Sequence, residues 1–260
     1  MDIPQKVNIV GTGVSTTSYE EVVRLCCDWA FHPGARSRYV CVTSVHGVIE
    51  ARVDAELRIA IDQAEVATPD GMPLVWALRS YGWKTQQRVY GPTLMLHLCE
   101  KAAQNGLRIF LYGARAKTLD ELRKRLGVKY PGLQIAGTYS PPFRTLTERE
   151  DAAVCQLVKK SRADILFVGL STPKQEKWMF AHRDSIPGLT MIGVGAAFDF
   201  HAGRTSQAPA WVQRNGLEWL FRLLVEPRRL WRRYVLITPR FLPLWFKQWM
   251  FERPSSQTNR

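Results

Sequence analysis

The chain has no apolar run approaching the 18 or so residues that a membrane-spanning helix needs. Its first residues carry no signal-peptide pattern. It also lacks a cysteine framework. The five cysteines are odd in number, Cys26 and Cys27 are adjacent, and none has metal-ligand spacing. That argues against a disulfide scaffold or a structural zinc site and fits a reducing cytoplasm. The five histidines show no metal-ligand spacing either. No Walker A sequence occurs. Gly11-Thr12-Gly13 opens like a dinucleotide fingerprint, but position 16 is Thr and no helix follows promptly, which counts against a nicotinamide oxidoreductase. No two aspartates stand as D-x-D, the pair with which a sugar-nucleotide enzyme often holds its diphosphate through a divalent metal. Neither a metal nor a cofactor is therefore expected. Acid is scarce as well. Asp and Glu number 23 against 36 Lys and Arg, and the formal charge of +13 calls for anionic partners: nucleic acid, a phospholipid surface or phosphate-bearing substrates.

What is present is an ordinary folded composition, 46% hydrophobic and 23% charged over 260 residues. Apolar patterning predicts a short strand and turn at 7–13 and strands at 39–43, 106–112, 133–138, 164–170 and 190–195. Helices are predicted at 18–30, 56–65, 74–79, 119–126, 148–161 and 175–183. This alternation gives an α/β fold with a largely parallel sheet covered by helices on both faces. Ligands of such sheets bind beyond the strand carboxyl ends, where Thr43, Gly113, Ser171 and Ala196 fall.

Composition shifts at Gln207-Ala208-Pro209, dividing a core of residues 1–206 from an appendage of residues 207–260. Ten basic residues from Arg214 to Arg260 face only Glu218, Glu226 and Glu252, and five of the nine tryptophans lie here. Leu217, Leu220, Phe221, Leu224 and Val225 form a helical apolar stripe that Pro227 ends, and that stripe is expected to pack on the core. The basic, aromatic segment 234–251 is the better candidate for lying in a membrane interface.

Asp70 sits in Thr68-Pro69-Asp70-Gly71-Met72-Pro73. Pro69 pushes Thr68 out of the helical region, Gly71 permits a tight turn, and Pro73 suits the first turn of a new helix. Its carboxylate either caps that turn or points into the adjoining cleft as a reactive group. In Ser171-Thr172-Pro173-Lys174-Gln175-Glu176, Thr172 as N-cap, Pro173 at N1 and Gln175 at N3 read as a capping box. The same helix N-terminus suits a phosphate or uracil, which leaves Gln175 open between cap and ligand contact.

Together these segments resemble the WecG/TagA/CpsF glycosyltransferases. The resemblance is carried by Thr68-Pro69-Asp70-Gly71-Met72-Pro73-Leu74-Val75-Trp76, Arg88-Val89-Tyr90-Gly91-Pro92, Phe110-Leu111-Tyr112-Gly113-Ala114 and Val168-Gly169-Leu170-Ser171-Thr172-Pro173-Lys174-Gln175-Glu176. It continues in Gly193-Val194-Gly195-Ala196-Ala197-Phe198-Asp199-Phe200-His201 and in Gly216-Leu217-Glu218-Trp219 through Glu226-Pro227-Arg228-Arg229 to Tyr234. It implies a Rossmann-like core and inverting, metal-free transfer of a sugar from a UDP-sugar donor to a polyprenyl-diphosphate-linked saccharide. The protein would then be cytoplasmic, peripheral on the inner face of the plasma membrane through its C-terminal segment, in exopolysaccharide or other cell-surface polysaccharide synthesis. Asp70 matches the family's general base. Thr43, Arg88, Gln175 and the appendage arginines Arg222, Arg229 and Arg232 match its substrate contacts, and Gly113 joins them at a strand end. Asp199 is the second-choice base, with a carboxylate capping backbone N–H groups as its bland reading. Many members have Thr-x-Asn where this chain has Thr43-Ser44-Val45, a departure that bears on the donor sugar and leans toward a glucosyl rather than an N-acetylmannosaminyl donor. A homo-oligomer would hide apolar surface when the tail is off the membrane. The rival reading is a charge-driven membrane or nucleic-acid binder without enzymatic activity, whose nucleic-acid binding would fall steeply with salt. It gives no reason for Asp70 on its turn, and no nucleic-acid partner is expected.

Overall fold

The computed structural model describes residues 2–252, apart from the side chains of Ala210, Arg214 and Arg229; Arg253 and Arg260 of the basic tail lie outside the described residues. A two-stranded antiparallel hairpin comes first, β1 (Lys6–Ile9) and β2 (Thr12–Ser15). Six strands then form one parallel sheet: β3 (Arg38–Thr43), β4 (Val66–Pro69), β5 (Arg108–Gly113), β6 (Gln134–Tyr139), β7 (Ile165–Gly169) and β8 (Thr190–Gly193). Their spatial order is β4-β3-β8-β7-β5-β6. The core helices are α1 (Tyr19–Phe31), α2 (Val45–Ala51), α3 (Ala55–Asp62), α4 (Met72–Ser80), α5 (Gly91–Asn105), α6 (Ala116–Lys129), α7 (Glu148–Ser161), α8 (Lys174–His182) and α9 (Ala197–His201). The appendage continues as α10 (Ala210–Arg214), α11 (Glu218–Val225) and α12 (Pro227–Trp231). A π-helical stretch Arg232–Ile237 and a 3-10 turn Thr238–Arg240 then lead to α13 (Phe241–Phe251).

The expected α/β architecture is present, and helix 148–161 matches α7. Successive side chains of a strand point to opposite faces, so a sheet covered on both sides needs apolar residues at every position. In β7, Ile165 and Phe167 join one core while Leu166 and Val168 join the other. In β3, Val40 and Val42 enter the first core and Tyr39 and Cys41 the second. Residues of α1, α5 and α6 fill the first core, and residues of α3, α7 and α8 fill the second. A third cluster beneath α2 and α4 takes in the hairpin and Phe241 of α13.

Among the departures from the expectation, which include the unpredicted helices α2 and α9, three bear on the site. The break at Thr68-Pro69 is strand β4, whose four residues are all buried and so show no alternation, with Pro69 tolerated at the sheet edge. Residues 91–105, where the patterning predicts no element, form the 15-residue α5, with Pro92 in its first turn where a missing N–H costs nothing. The expected capping box at Thr172 is absent. Helix α8 starts at Lys174 behind Pro173 with no side-chain cap, and the Thr172 hydroxyl instead donates to Glu176 at 2.9 Å.

The second core is clamped by charge. His182 donates to Asp151 at 2.6 Å, its other ring nitrogen lies 2.7 Å from the Trp178 carbonyl, and Trp178 donates to Asp151 at 3.1 Å. Burial lowers the imidazole's proton affinity, but hydrogen bonds with Cys155, the Trp178 carbonyl and Asp151 outweigh it and push the pKa up to about 9. A histidine raised in the fold lends stability that is complete below its unfolded value of ~6.5 and fades as pH rises through the folded one. His182→Gln should therefore cost on the order of 2 kcal/mol at pH 6 and little at pH 10, read as the shift in urea midpoint at each pH. A cost equal at both pH values would show that the ring packs there without carrying charge.

Candidate active site

The sequence places Asp70 one residue past β4, and three backbone contacts hold it there. Its N–H donates to the Thr43 carbonyl at 2.9 Å, its carbonyl accepts from Arg88 Nε, and the Pro69 carbonyl accepts from Val89 N–H at 3.1 Å. Gly71 follows as N-cap of α4, with Pro73 in the first turn as expected. A Cβ on Gly71 would lie 3.3 Å from Val45, so the residue standing where many members have Asn is packed under this turn. Ser44 caps α2, its hydroxyl oxygen accepting from Gly47 N–H at 3.3 Å.

These pieces line a cavity of about 100 Å³. One wall comes from Ser44, Val45 and His46, from the turn Asp70 to Pro73, and from Arg88; the other is the appendage, through Glu218, Trp219, Arg222, Arg233 and Tyr234. Arg88 is the hub. Its Nη1 pairs with Glu218 at 2.7 Å, its Nη2 lies 3.4 Å from Asp70 Oδ1, and its guanidinium carbon sits 4.1 Å from the centre of the Tyr90 ring. Arg222 lies over the Phe200 ring at 5.3 Å, and its Nε is buried with no hydrogen-bond partner among the described residues. Arg233 donates to Ser44 Oγ at 3.0 Å.

Burial is the main force on the Asp70 carboxyl and pushes its pKa up; Glu218 adds to this, while Arg88, Arg233 and Arg222 oppose it. Burial, reinforced by Arg233, pushes His46 down to about 4 and leaves it a neutral imidazole. The cavity thus presents a carboxylate of raised basicity among fixed cations. That arrangement can accept a proton and steady an anionic leaving group.

The remaining expected residues fall variously. Thr43 is buried at the end of β3, supporting Asp70 through its carbonyl. Gln175 is buried under Gly193 and Gly195. Its amide nitrogen donates to Glu176 at 3.0 Å, and its amide oxygen has no partner among the described residues. Gly113, with φ of 128°, lies where a Cβ would come 2.5 Å from the Gly169 backbone; it permits close approach of β5 and β7 and does not line the cavity. The arginine pair resolves differently from the expectation, since Arg232 is exposed beside Trp231 and Arg233 enters the cavity. Both lie in the π-helical stretch, whose wider turn changes which of two consecutive residues faces inward. The side chain of Arg229 lies outside the described residues. Asp199 stands outside the cavity, and its backbone carbonyl, rather than its carboxylate, takes the Arg204 and Thr205 N–H groups.

Helix α11 reverses the expected packing. Its polar residues Glu218 and Arg222 turn inward, Glu218 being only 6% exposed, while Leu224 of the apolar stripe is 73% exposed. Glu218 went unrecognised because an acid among arginines reads as a solvated charge. The available signal was its i, i+4 spacing to Arg222 on the face opposite Leu220 and Leu224.

Comparison with known proteins settles the family. The profile described as Glycosyl transferase WecG/TagA/CpsF family matches residues 7–255. A Bacillus spizizenii protein named N-acetylglucosaminyldiphosphoundecaprenol N-acetyl-beta-D-mannosaminyltransferase is 32% identical over 188 residues, 72% of this chain and 71% of the relative. A Staphylococcus aureus protein of the same name is 25% identical over 227 residues, 87% of each. The chain belongs to the WecG/TagA/CpsF glycosyltransferase family. The family profile reaches past α13, so the appendage is part of the glycosyltransferase sequence rather than an unrelated tail.

Proposed function

We propose that this glycosyltransferase moves a hexosyl group, of N-acetylmannosamine or glucose type, from a UDP-sugar to a hydroxyl of a polyprenyl-diphosphate-linked saccharide, with inversion and without a metal. The observation that carries the reading is the half-buried Asp70 carboxylate, 21% exposed, in a cavity ringed by Arg88, Arg222 and Arg233. Asp70 takes the acceptor hydroxyl proton, the hydroxyl oxygen attacks the anomeric carbon from the opposite side, and the bond to the diphosphate breaks. A raised pKa suits a base working near neutral pH. Arginines stabilise the departing UDP, since a guanidinium pairs with phosphate through two N–H groups at once. Gln175 of α8, whose buried amide oxygen has no partner among the described residues, extends the donor's contacts once the site opens, while Thr43 and Gly113 act through the backbone at the strand ends. The names of the relatives support a lipid-linked N-acetylglucosamine acceptor and an N-acetylmannosaminyl donor, while Val45 in place of Asn favours glucose.

At about 100 Å³ the cavity is smaller than the ~300–1,000 Å³ of ligand pockets, so the appendage that forms half its wall shifts to admit a nucleotide sugar and closes over the diphosphate. Arg229 and Arg232 join the donor in that motion. No described helix is long and apolar enough to cross a membrane. A peripheral seat on the inner face of the plasma membrane is supported by the exposed Leu224 of α11 and by Leu242, Phe246 and Met250 of α13, an i, i+4, i+8 stripe beside basic residues. The opposite face of α13 packs on the hairpin, with Gln248 bonded to Val10 and Asn8. Off the membrane, the same apolar surface is covered by a second copy of the chain.

The test is calorimetric titration of UDP in EDTA, followed by transfer assays pairing UDP-glucose or UDP-N-acetylmannosamine with a prenyl-diphosphate N-acetylglucosamine acceptor. Micromolar UDP binding that survives EDTA and weakens in Arg222→Ala is expected. Binding restored only by Mg²⁺ would refute the metal-free mechanism, and no binding in either condition would refute UDP as the carrier of the donor sugar.

A further inference from the structure

Arg88 lies between two carboxylates, and it does not treat them equally. Glu218 of the appendage takes the short contact, 2.7 Å to Nη1, whereas Asp70 Oδ1 lies 3.4 Å from Nη2. The side chain of Glu218 is 8% exposed and that of Arg88 16% exposed, so this pair has little water to screen it. The Arg88 plane is further fixed by the Tyr90 ring beneath it and by donation from Nε to the Asp70 carbonyl. With Nε on the Asp70 carbonyl and Nη1 drawn to Glu218, the guanidinium is held where Nη2 stays at 3.4 Å from the Asp70 carboxylate.

We propose that Glu218 is a positioning residue for the transfer reaction, holding Arg88 off the Asp70 carboxylate so that Asp70 stays basic enough to accept the acceptor's proton. The inference rests on Asp70 being the base. Without Glu218, Arg88 is free to close on Asp70 with two N–H groups. That stabilises the carboxylate and lowers its affinity for a proton. Glu218 also acts directly, as a like charge that favours the protonated form of Asp70. The other groups acting on Asp70 remain in place when Glu218 is changed. They are Arg222 on α11, Arg233 in the π-helical stretch, Tyr90 beneath Arg88 and Tyr19, whose hydroxyl accepts from Tyr90 N–H, with neutral His46 in the same cavity. Since Glu218 belongs to the appendage and Asp70 to the core, the appendage sets the strength of the base as well as one wall of the site.

The experiment is the pH dependence of kcat and kcat/KM for wild type, Glu218→Gln and Asp70→Asn on the same donor and lipid-linked acceptor. Glu218→Gln keeps the shape and a hydrogen-bond acceptor but not the charge. Its acidic limb should move down by about one pH unit and its plateau kcat should fall about tenfold, with the donor KM little changed. A purely structural role would lower the active fraction and leave the limb in place. An unmoved limb overturns the proposal, and an unmoved limb with tighter UDP binding would show instead that Glu218 occupies the place of a donor phosphate. If Glu218→Gln does not fold, Glu218→Asp, which retracts the carboxylate by one methylene, reads the same shift at smaller amplitude, and an unmoved limb there is equally fatal. Asp70→Asn separates the two levels. Should it stay active, the reading of Asp70 as base fails and the role of Glu218 falls with it. Should it be inactive while Glu218→Gln leaves the limb in place, only the role of Glu218 fails.

Discussion

Asp70→Asn lowers kcat by about 10²–10⁴, the range that loss of a general base commands, while UDP binding and the fold survive. The expectation follows from how the residue is held. Backbone groups fix its position, through the Thr43 carbonyl and Arg88 Nε, so an amide of the same shape takes the place without disturbing the turn. What the amide loses is the capacity to receive a proton. Burial raises the carboxyl's proton affinity, so the wild-type rate should fall on the acid side of a pKa above the ordinary carboxylate value, and this limb should vanish in the variant. Rate against pH with a lipid-linked acceptor, beside calorimetric UDP titration of the same preparations, decides it. A variant retaining more than about a tenth of the rate would move the base elsewhere. His46, neutral and in the same cavity, is then the next group to test.

Arg88→Met carries the largest expected loss of stability. The substitution keeps most of the stem but leaves Asp70 and Glu218 in one poorly hydrated cavity without the cation between them. Removing one partner of a buried ion pair costs about 3–5 kcal/mol because the charge left behind is uncompensated. Here two charges are left, and protonation of one relieves part of the strain. The measurement is the urea midpoint of Arg88→Met against the double variant Arg88→Met/Glu218→Gln. Part of the lost stability should return in the double variant, because the second change removes one of the two orphaned charges and its repulsion of the other. Activity should not return, since the cation itself is gone. A single variant within about 1 kcal/mol of wild type would mean that water enters this cavity freely and that the triad is a surface network.

Much of the scaffold was legible in the sequence for a simple reason. Strands such as Ile165–Gly169, buried on both faces, are continuous apolar runs, and helix Glu148–Ser161 announces itself with Thr147 and Glu150 at its start. Strand β4 was not legible, because four buried residues that follow a helix and end in a proline have no period of their own and gain strand geometry only by pairing with β3. In the candidate site, Asp70 and Arg88 stood out through the motifs around them. Glu218 and Arg233 did not, because their roles depend on which face of the appendage turns inward. Amphipathic patterning predicts that the apolar face packs on the core, and here tertiary structure places the polar face there instead. The choice between Arg232 and Arg233 rests on a local π turn that residue spacing does not disclose.

The orientation of α11 has a thermodynamic consequence. Glu218 and Arg222 share two turns with Leu220 and Leu224, so the helix cannot roll to bury its leucines without withdrawing its charges from Arg88 and Phe200. Within a single chain in water these two demands compete, and the working geometry is the one that leaves hydrocarbon wet. Whatever removes that hydrocarbon from water adds its binding free energy to this orientation alone. The surrounding phase is thus linked to the composition of the cavity, much as an effector is linked to a distant site: it tightens the grip on Arg88 without touching any atom inside.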